Sequence, residues 1–305
     1  MGPTAAGKTD LALELARHYP VEIISVDSAL VYRGMNIGTA KPEPEILEQH
    51  PHHLVDIIEP TESYSAGSFR SDALTLMADI TGRGKIPVLV GGTMLYFKAL
   101  QQGLSDLPNA DPTIREKLDE DCRQNGLASL HARLAEVDPI SAARIHINDP
   151  QRIQRALEVY EITGKSMTEL TKSVETTLPY DVVKIIISPF ERSVLHRRIA
   201  ERYHGMIEKG FIEEVQALFE RDGCHKDLPA IRSVGYRQAW SYLSGEYDEA
   251  TFIEKAIIAT RQMAKRQLTW LRAQKDGVWF DSGPDLPVDD VLRFLEDQYP
   301  SLMLK

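Results

Sequence analysis

Residues 2–9 read G-P-T-A-A-G-K-T, which matches the phosphate-loop pattern G-x-x-x-x-G-K-[ST]. In such a P-loop the glycines let successive backbone N–H groups point at phosphate oxygens, the lysine adds a mobile charge, and the last hydroxyl ligates Mg²⁺. The leucine-rich helix that follows directs its positive N-terminal end at the same anion. The predicted phosphate site consists of Gly2, Pro3, Thr4, Ala5, Ala6, Gly7, Lys8 and Thr9, with Thr9 as the magnesium ligand.

A P-loop normally follows a buried strand, whereas this motif begins at residue 2. We therefore expect the first strand of the sheet to be missing from this sequence and to lie upstream of it. The motif identifies the bound anion but not the reaction. A kinase, a nucleoside triphosphatase and an enzyme that handles a diphosphate all remain open at this point.

The first hundred residues alternate between strand-like and helix-like patterns, which predicts an α/β fold with a parallel P-loop sheet. Apolar runs typical of buried strands occupy 21–26, 54–58 and 86–90. Helical patterns occupy 9–18 and 66–81, and Ser65 is suited to cap the second of them. Two more strands are predicted near the C-terminal half of the chain, at 184–188 and 278–280.

Residues 105–180 show no strand pattern and read as a helical insert in this core. Three helices are predicted to begin at Asp111, Asp138 and Asp149, because each is an N-cap residue followed by proline. The predicted organisation is a P-loop core of residues 1–104 and 181–305, which carries a basic C-terminal helix, and a helical insert domain of residues 105–180.

The 305-residue chain carries 35 basic and 45 acidic residues, a formal charge of −10, which argues against a nucleic-acid partner. Its two cysteines, Cys122 and Cys224, are widely separated and fit a reducing, cytoplasmic compartment. No apolar run approaches the roughly 20 residues that cross a bilayer, so no membrane association is expected. The expected oligomeric state is a monomer.

Charge is nevertheless distributed unevenly. Residues 255–275 contain six basic residues and no acid. On a helix, an apolar stripe that includes Ile253 and Leu268 would pack on the core, with Arg261 and Lys265 along its flank. A solvated helix face usually carries both signs, so this stretch favours a polyanion.

Two polar residues follow predicted strands, where ligands of parallel sheets bind. Asp27 ends the first strand and Thr93 follows Gly91 and Gly92 at the end of the third. Asp27 is interpreted as a magnesium-binding acid or as a general base, with a turn cap as the structural alternative. Thr93 is suited either to contact a ligand or to cap the helix that begins at Met94.

Six segments together resemble the bacterial tRNA dimethylallyltransferases, also called tRNA isopentenyltransferases. They are G-P-T-A-A-G-K-T, D-S-A-L-V-Y-R-G-M-N-I-G-T-A-K-P (27–42), L-V-G-G-T-M-L-Y (89–96), N-D-P-Q-R-I-Q-R-A-L-E-V (148–159), R-S-V-G-Y-R-Q (232–238) and A-T-R-Q-M-A-K-R-Q-L-T-W-L-R (259–272). The resemblance covers nearly the whole chain. It implies transfer of the dimethylallyl group from dimethylallyl diphosphate to N6 of adenosine 37 in tRNA, so that the P-loop binds a diphosphate leaving group, with Mg²⁺ as the cofactor.

The same resemblance implies a role for individual residues. Asp27 would accept the N6 proton, Thr93 would orient the RNA or the diphosphate, and Arg202 would reach the diphosphate, although an isolated arginine on a helix is more often a solvated charge. Contacts with the anticodon stem-loop are implied for Asp27, Ser28, Ala29, Leu30, Thr93, Arg115, Gln151, Arg152, Ile153, Gln154, Arg155, Arg232, Ser233, Val234, Gly235, Tyr236, Arg237, Arg261, Lys265 and Arg266.

Tyr236 is expected to stack on a base. Two alternatives remain from the residues alone: an ATP-dependent kinase in which Asp27 holds Mg²⁺, and a non-catalytic RNA-binding P-loop protein.

Overall fold

The computed structural model describes residues 1–105, 107–171 and 178–300. The chain divides into two compact units, Met1–Leu100 with Tyr180–Lys305, and Gln101–Pro179. Within the predicted insert of residues 105–180, Asp106 and residues 172–177 lie outside the described residues. No helix among the described residues combines the length and the apolar character needed to cross a membrane.

The N-terminal part of the first unit contains α1 (Lys8–His18), β1 (Val21–Val26), α2 (Pro44–Gln49), β2 (His52–His53), α3 (Ala66–Gly82), β3 (Ile86–Gly91) and α4 (Met94–Gln102). Its three strands form a parallel sheet in the order β2-β1-β3. The predicted strands at 21–26 and 86–90 are confirmed, and they pair in register along their full length. Helices α1 and α3 pack against β1 and β3.

The predicted cap of α3 is confirmed, since the Ser65 hydroxyl accepts a hydrogen bond from the Ser68 N–H. The predicted strand at 54–58 is wrong. Leu54 and Asp56 adopt positive φ angles of 63° and 54°, which an extended strand does not allow. The chain turns there, and residues 56–58 bond instead to the backbone of Leu30 and Val31.

The second unit consists of helices over its described residues: α5 (Pro112–Asn125), α6 (Leu127–Val137), α7 (Pro139–Arg144), α8 (Pro150–Thr163) and α9 (Met167–Leu170). The three predicted aspartate-proline starts are confirmed, because Asp111, Asp138 and Asp149 each accept backbone N–H groups of the first helical turn. Leu134, Ile153 and other fully buried side chains form a separate apolar core.

The C-terminal part returns to the first unit with β4 (Ile185–Ser188), α10 (Arg192–Glu208), α11 (Phe211–Phe219), α12 (Tyr236–Leu243), α13 (Glu249–Arg272), β5 (Val278–Asp281) and α14 (Val288–Gln298). Strands β4 and β5 pair in parallel, at the two positions predicted from the sequence. The backbone of Met1 continues this pairing, because its amino group donates to Ile185 O and its carbonyl accepts from Ile187 N. The P-loop thus starts directly beside β4.

A large core of the first unit is built from α10 to α13 and includes the buried rings of Phe211, Tyr236 and Phe252. The α13 stripe predicted from the sequence packs here: Ile253, Ile257 and Leu268 contact this core and Ala264 is part of it, while Leu271 is also buried. The residues that follow β1 and β3 emerge at the edge of the sheet where the P-loop begins.

Candidate active site

The P-loop adopts a conformation that depends on its glycines. Gly7 has a φ of 84° immediately before α1, and Ala5 also has a positive φ. At Gly2 a Cβ would lie 2.4 Å from the carbonyl oxygen of Ile187, so no larger residue fits. Among the described residues no side chain caps the first turn of α1. Its N–H groups are therefore available to an anion.

Lys8, which is half-buried, places a positive charge in this loop. Its Nζ donates to the carbonyl of Pro3 at 2.7 Å. Burial lowers the pKa of Lys8 to about 8, the Asp27 carboxylate opposes that change, and the Arg202 guanidinium adds to it. Three residues that are far apart in the sequence thus act on one another electrostatically at the P-loop.

Asp27 follows β1 and closes the turn that comes next. Its Oδ1 accepts the N–H of Ala29 at 2.8 Å and that of Leu30 at 3.4 Å. Asp27 therefore caps this turn, as its structural alternative predicts. It uses one carboxylate oxygen, and Oδ2 has no hydrogen-bond partner among the described residues. One oxygen can orient the side chain while the other stays available for proton transfer.

Thr93 lies beside this turn. Its Oγ1 accepts the Ser28 N–H at 3.0 Å and lies 3.4 Å from the Ser28 hydroxyl, while its own N–H bonds to Val26 O. The hydroxyl thus connects the end of β3 to the residue after Asp27. Thr93 stands at the start of α4, where its carbonyl accepts the N–H groups of Tyr96 and Phe97, but among the described residues its hydroxyl bonds to Ser28 and not to a helical N–H. Gly91 permits this approach, because a Cβ there would lie 2.0 Å from the carbonyl oxygen of Val26.

Arg202 reaches the site from α10. One terminal nitrogen of its guanidinium donates to the carbonyl of Thr39 at 3.1 Å. Burial lowers the pKa of Arg202, and the neighbouring Tyr203 and Asp27 oppose that change. Arg202 is therefore not a solvated charge on a helix face, because its side chain is half-buried, bonds to the Thr39 carbonyl and contributes to the electrostatics of Lys8.

Sequence reasoning missed Gln267. Its side-chain oxygen accepts the Thr4 N–H of the P-loop, and its side-chain nitrogen donates to Gly92 O, both at 2.9 Å. One amide thus connects the P-loop to the turn that carries Thr93. The residue lies inside the α13 motif, whose pattern indicates an apolar stripe and a basic edge, and a neutral polar side chain contributes to neither signal.

Lys41 was also missed. Its side chain is only 4% exposed. Its Nζ bonds to Tyr32 O at 3.1 Å, to the Asn36 side chain at 2.7 Å and to the Asp56 carboxylate. The lysine therefore connects Tyr32 and Asn36 of segment 27–42 with Asp56 beyond it, and so helps to hold the turn that follows Asp27.

Comparison with known proteins identifies the group to which this site belongs. A model of the IPP transferase family matches residues 30–274, most of the chain. The chain belongs to the IPP transferase family. The match begins after the P-loop and after Asp27, so the phosphate site described above is an independent observation.

Solved structures of this family have the same fold. The full-length tRNA isopentenylpyrophosphate transferase of Bacillus halodurans is 37% identical, with a TM-score of 0.70 over 99% of this chain and 94% of that one. The tRNA isopentenylpyrophosphate transferase of Staphylococcus epidermidis is 32% identical, with a TM-score of 0.69 over 98% and 97%. A eukaryotic dimethylallyltransferase acting on tRNA is 25% identical, with a TM-score of 0.81 over 98% and 78%.

In this IPP transferase the arginines expected to contact RNA from the helical unit have an intramolecular partner. Arg115 forms two hydrogen bonds with the fully buried Glu158 carboxylate, at 2.8 and 3.1 Å, and Arg155 forms another at 2.6 Å. Ile153 belongs to the apolar core of the unit, so a direct RNA contact by this side chain is excluded in this conformation. Gln154 donates to Asp119, whereas Gln151 and Arg152 are exposed.

The R-S-V-G-Y-R motif of this IPP transferase is divided between core and surface. Arg232 and Arg237 are exposed, while Ser233 and Val234 are half-buried and Gly235 is buried. The prediction that Tyr236 stacks on a base is wrong. Its ring is completely buried and contacts Phe211 edge-on at 5.2 Å.

On α13, the described structure leaves Lys265, Arg266 and Arg272 exposed, as the charge pattern predicted. Arg261 differs. It is half-buried, and its guanidinium donates to His196 O at 3.3 Å. The basic edge of the helix therefore begins at Lys265 instead of Arg261.

Proposed function

We propose that this chain transfers the dimethylallyl group from dimethylallyl diphosphate to N6 of adenosine 37 in tRNA, giving N6-isopentenyladenosine and diphosphate. The observation that carries the proposal is the arrangement of Lys8 and Arg202 around Asp27 at a P-loop. Membership of the IPP transferase family supports prenyl transfer. The relatives described above act on tRNA, which supports tRNA as the acceptor.

The leaving group would be stabilised by this chain's cations. As the allylic C–O bond breaks, its electron pair moves to the diphosphate oxygen. That negative charge would be stabilised by Lys8, Arg202 and the uncapped N–H groups of α1. The lowered pKa of Lys8 still leaves the amine protonated at neutral pH.

The acceptor would be activated by Asp27. The N6 lone pair forms the new bond to the allylic carbon, and the departing N6 proton passes to the free Oδ2 of Asp27. The base would be held against the adjacent turn, which consists of Ser28, Ala29 and Leu30 and is bonded to Thr93. A base stacked in a loop is out of reach of such a turn, so adenosine would be flipped out.

Magnesium is the one cofactor that we propose. The donor set suits it, because the P-loop supplies the hydroxyl of Thr9, and Mg²⁺ usually keeps several waters and binds substrate phosphates with few protein ligands. No group of three or more acidic, histidine or cysteine side chains suited to a metal occurs among the described residues. When bound with the diphosphate, the ion would neutralise part of its charge.

The anticodon stem-loop is the part of tRNA that we propose as the ligand. Exposed positive charge for its phosphates would come from Lys265, Arg266, Arg232 and Arg237. We further propose that the chain acts as a monomer in the cytoplasm.

The decisive experiment incubates the protein with dimethylallyl diphosphate, Mg²⁺ and an anticodon stem-loop RNA, and then measures the mass of the RNA. A gain of one dimethylallyl group is expected. A matched RNA with purine ribonucleoside at position 37, which lacks the N6 amine, should gain nothing. Unchanged mass of the adenosine-bearing RNA would overturn the proposal, and phosphate release from ATP would favour the kinase alternative.

A further inference from the structure

Glu214 on α11 organises a loop that it does not belong to. Its Oε2 accepts the N–H groups of Asn36 at 2.8 Å and Ile37 at 2.7 Å, and its Oε1 accepts that of Gly38 at 3.1 Å. The hydroxyl of Tyr236 donates to the same carboxylate. Successive N–H groups that converge in this way form an anion-binding concavity. Here the anion is a side chain of the protein itself.

The loop of residues 36–39 is also confined sterically. A Cβ on Gly38 would lie 2.2 Å from the ring of Phe211 and 2.6 Å from that of Tyr236. The hydroxyl of Thr39 bonds back to Met35 O at 2.7 Å. These contacts leave the backbone of residues 36–39 little freedom, so the position of the Thr39 carbonyl is fixed.

That carbonyl is the hydrogen-bond acceptor for Arg202. A guanidinium is planar, and once one N–H is held, the directions of its remaining donors are largely set. We propose that Glu214 is a positioning residue, which fixes residues 36–39 so that the Thr39 carbonyl aims Arg202 at the diphosphate. This inference rests on the proposed function, because it assigns Arg202 to the leaving group.

The chemistry of Glu214 explains why an amide would not serve. The carboxylate receives four donors, three from the backbone and one from a hydroxyl, and an ionised carboxylate only accepts. Burial and the neighbouring Glu214 raise the pKa of Tyr236 well above its usual value, so that its hydroxyl remains a donor. In Glu214→Gln one oxygen is replaced by an NH₂ group that would face another donor.

The test measures binding of inorganic diphosphate with Mg²⁺ by calorimetry. Glu214→Gln should weaken this binding about tenfold, since displacement of a positioned charged group by about 1 Å is costly. The adjacent, exposed Glu213→Gln is the matched control and should bind as the wild type does. In transfer assays the loss should appear in kcat/KM for dimethylallyl diphosphate, with KM for RNA within about twofold.

A double-mutant cycle with Arg202→Ala separates positioning from a general loss of structure. If Glu214 acts through Arg202, Glu214→Gln should have no further effect on diphosphate binding in the Arg202→Ala protein. Equal weakening in both backgrounds, or no weakening in either, would overturn the inference. Tyr236→Phe removes one of the four donors and provides a milder second variant should Glu214→Gln fail to fold.

The two proposals fail differently. A wild-type protein that binds diphosphate but transfers no prenyl group would overturn the proposed function, while the binding cycle would still decide the role of Glu214.

Discussion

Asp27 and Glu158 each lie near two basic side chains, Lys8 and Arg202 in the first case, Arg115 and Arg155 in the second. Glu158 is completely buried and bonds directly to both arginines. Asp27 forms no ion pair among the described residues, because one of its oxygens closes a turn, while Lys8 and Arg202 bond to backbone carbonyls. Each site thus contains one carboxylate and two cations. At Glu158 these charges pair with one another, whereas at Asp27 they remain available for a ligand.

The difference also appears in the pKa values. Burial raises the pKa of Glu158, but hydrogen bonds from Arg115, Arg155 and the Asp111 N–H outweigh it and lower the pKa. At the P-loop, burial dominates and lowers the pKa of both Lys8 and Arg202. A cation whose charge is costly in the free protein is one that an anionic ligand can stabilise. The contact pattern, rather than the count of charges, distinguishes a binding site from a structural cluster.

The largest expected effect comes from Asp27→Asn. Asparagine keeps Oδ1 as an acceptor for the turn but removes the base, so kcat for transfer should fall about 10³-fold. The melting temperature and the affinity for anticodon stem-loop RNA should stay close to wild type. Single-turnover kinetics with saturating RNA measure the loss. Transfer within tenfold of wild type would contradict the assignment of Asp27 as the base.

Glu158→Ala, by contrast, should affect the stability of the helical unit. It removes the buried partner of two arginines and should lower the free energy of unfolding of the helical unit by about 2–4 kcal/mol. This value lies toward the lower part of the range for broken buried ion pairs, because the side chains of Arg115 and Arg155 are 44% and 28% exposed. The exposed Glu116→Ala is the control.

The measurement for Glu158→Ala must report on residues 112–163. Trp240, Trp270 and Trp279 all lie in the other compact unit, so tryptophan fluorescence would not see the change. Amide hydrogen exchange of α5 and α8 would. Unchanged protection there would mean that the cluster contributes little to stability.

The contrast between these clusters also shows what the sequence could predict. Local patterns sufficed for β1, β3, the aspartate caps and the P-loop, because motif and hydrophobicity act over a few neighbouring residues. They failed at 54–58, where two residues with positive φ turn an apolar run away from the sheet. They also failed for Tyr236, whose motif pointed to RNA but whose ring fills the core.

Local patterns could not predict the roles of Gln267, Lys41 and Glu214, for a different reason. Gln267 and Glu214 bond to backbone groups of another segment, 263 residues away in the case of Gln267 and Thr4, and Lys41 bonds to the Asp56 side chain, 15 residues away. Nothing in the residue type or its neighbours encodes such a partner. Only the folded chain shows that these three residues hold the parts of the site together.

The third prediction concerns pH. Because the pKa of Lys8 is lowered to about 8, the amine is charged below that pH and neutral above it. Binding of dimethylallyl diphosphate without RNA should weaken about tenfold between pH 7 and pH 9. The last ionisation of a phosphate, near pH 6, is about complete before this range and does not interfere. Lys8→Arg keeps its charge and should bind with little pH dependence; a parallel decline in both proteins would exclude Lys8 as the cause.

The smallest expected effect distinguishes the RNA binding of two arginines for which the sequence implies the same contact with RNA. Arg266 is exposed on α13 with no ion pair among the described residues, whereas Arg155 is bonded to Glu158 and to Pro108 O. A phosphate contact contributes about 0.7–0.9 to the slope of log K against log salt concentration. Arg266→Ala should lower that slope by about one contact for stem-loop RNA, and Arg155→Ala by less, because its charge is already neutralised. Fluorescence anisotropy across a salt series measures both, and an equal fall would mean that the contact with Glu158 does not determine which arginines bind RNA.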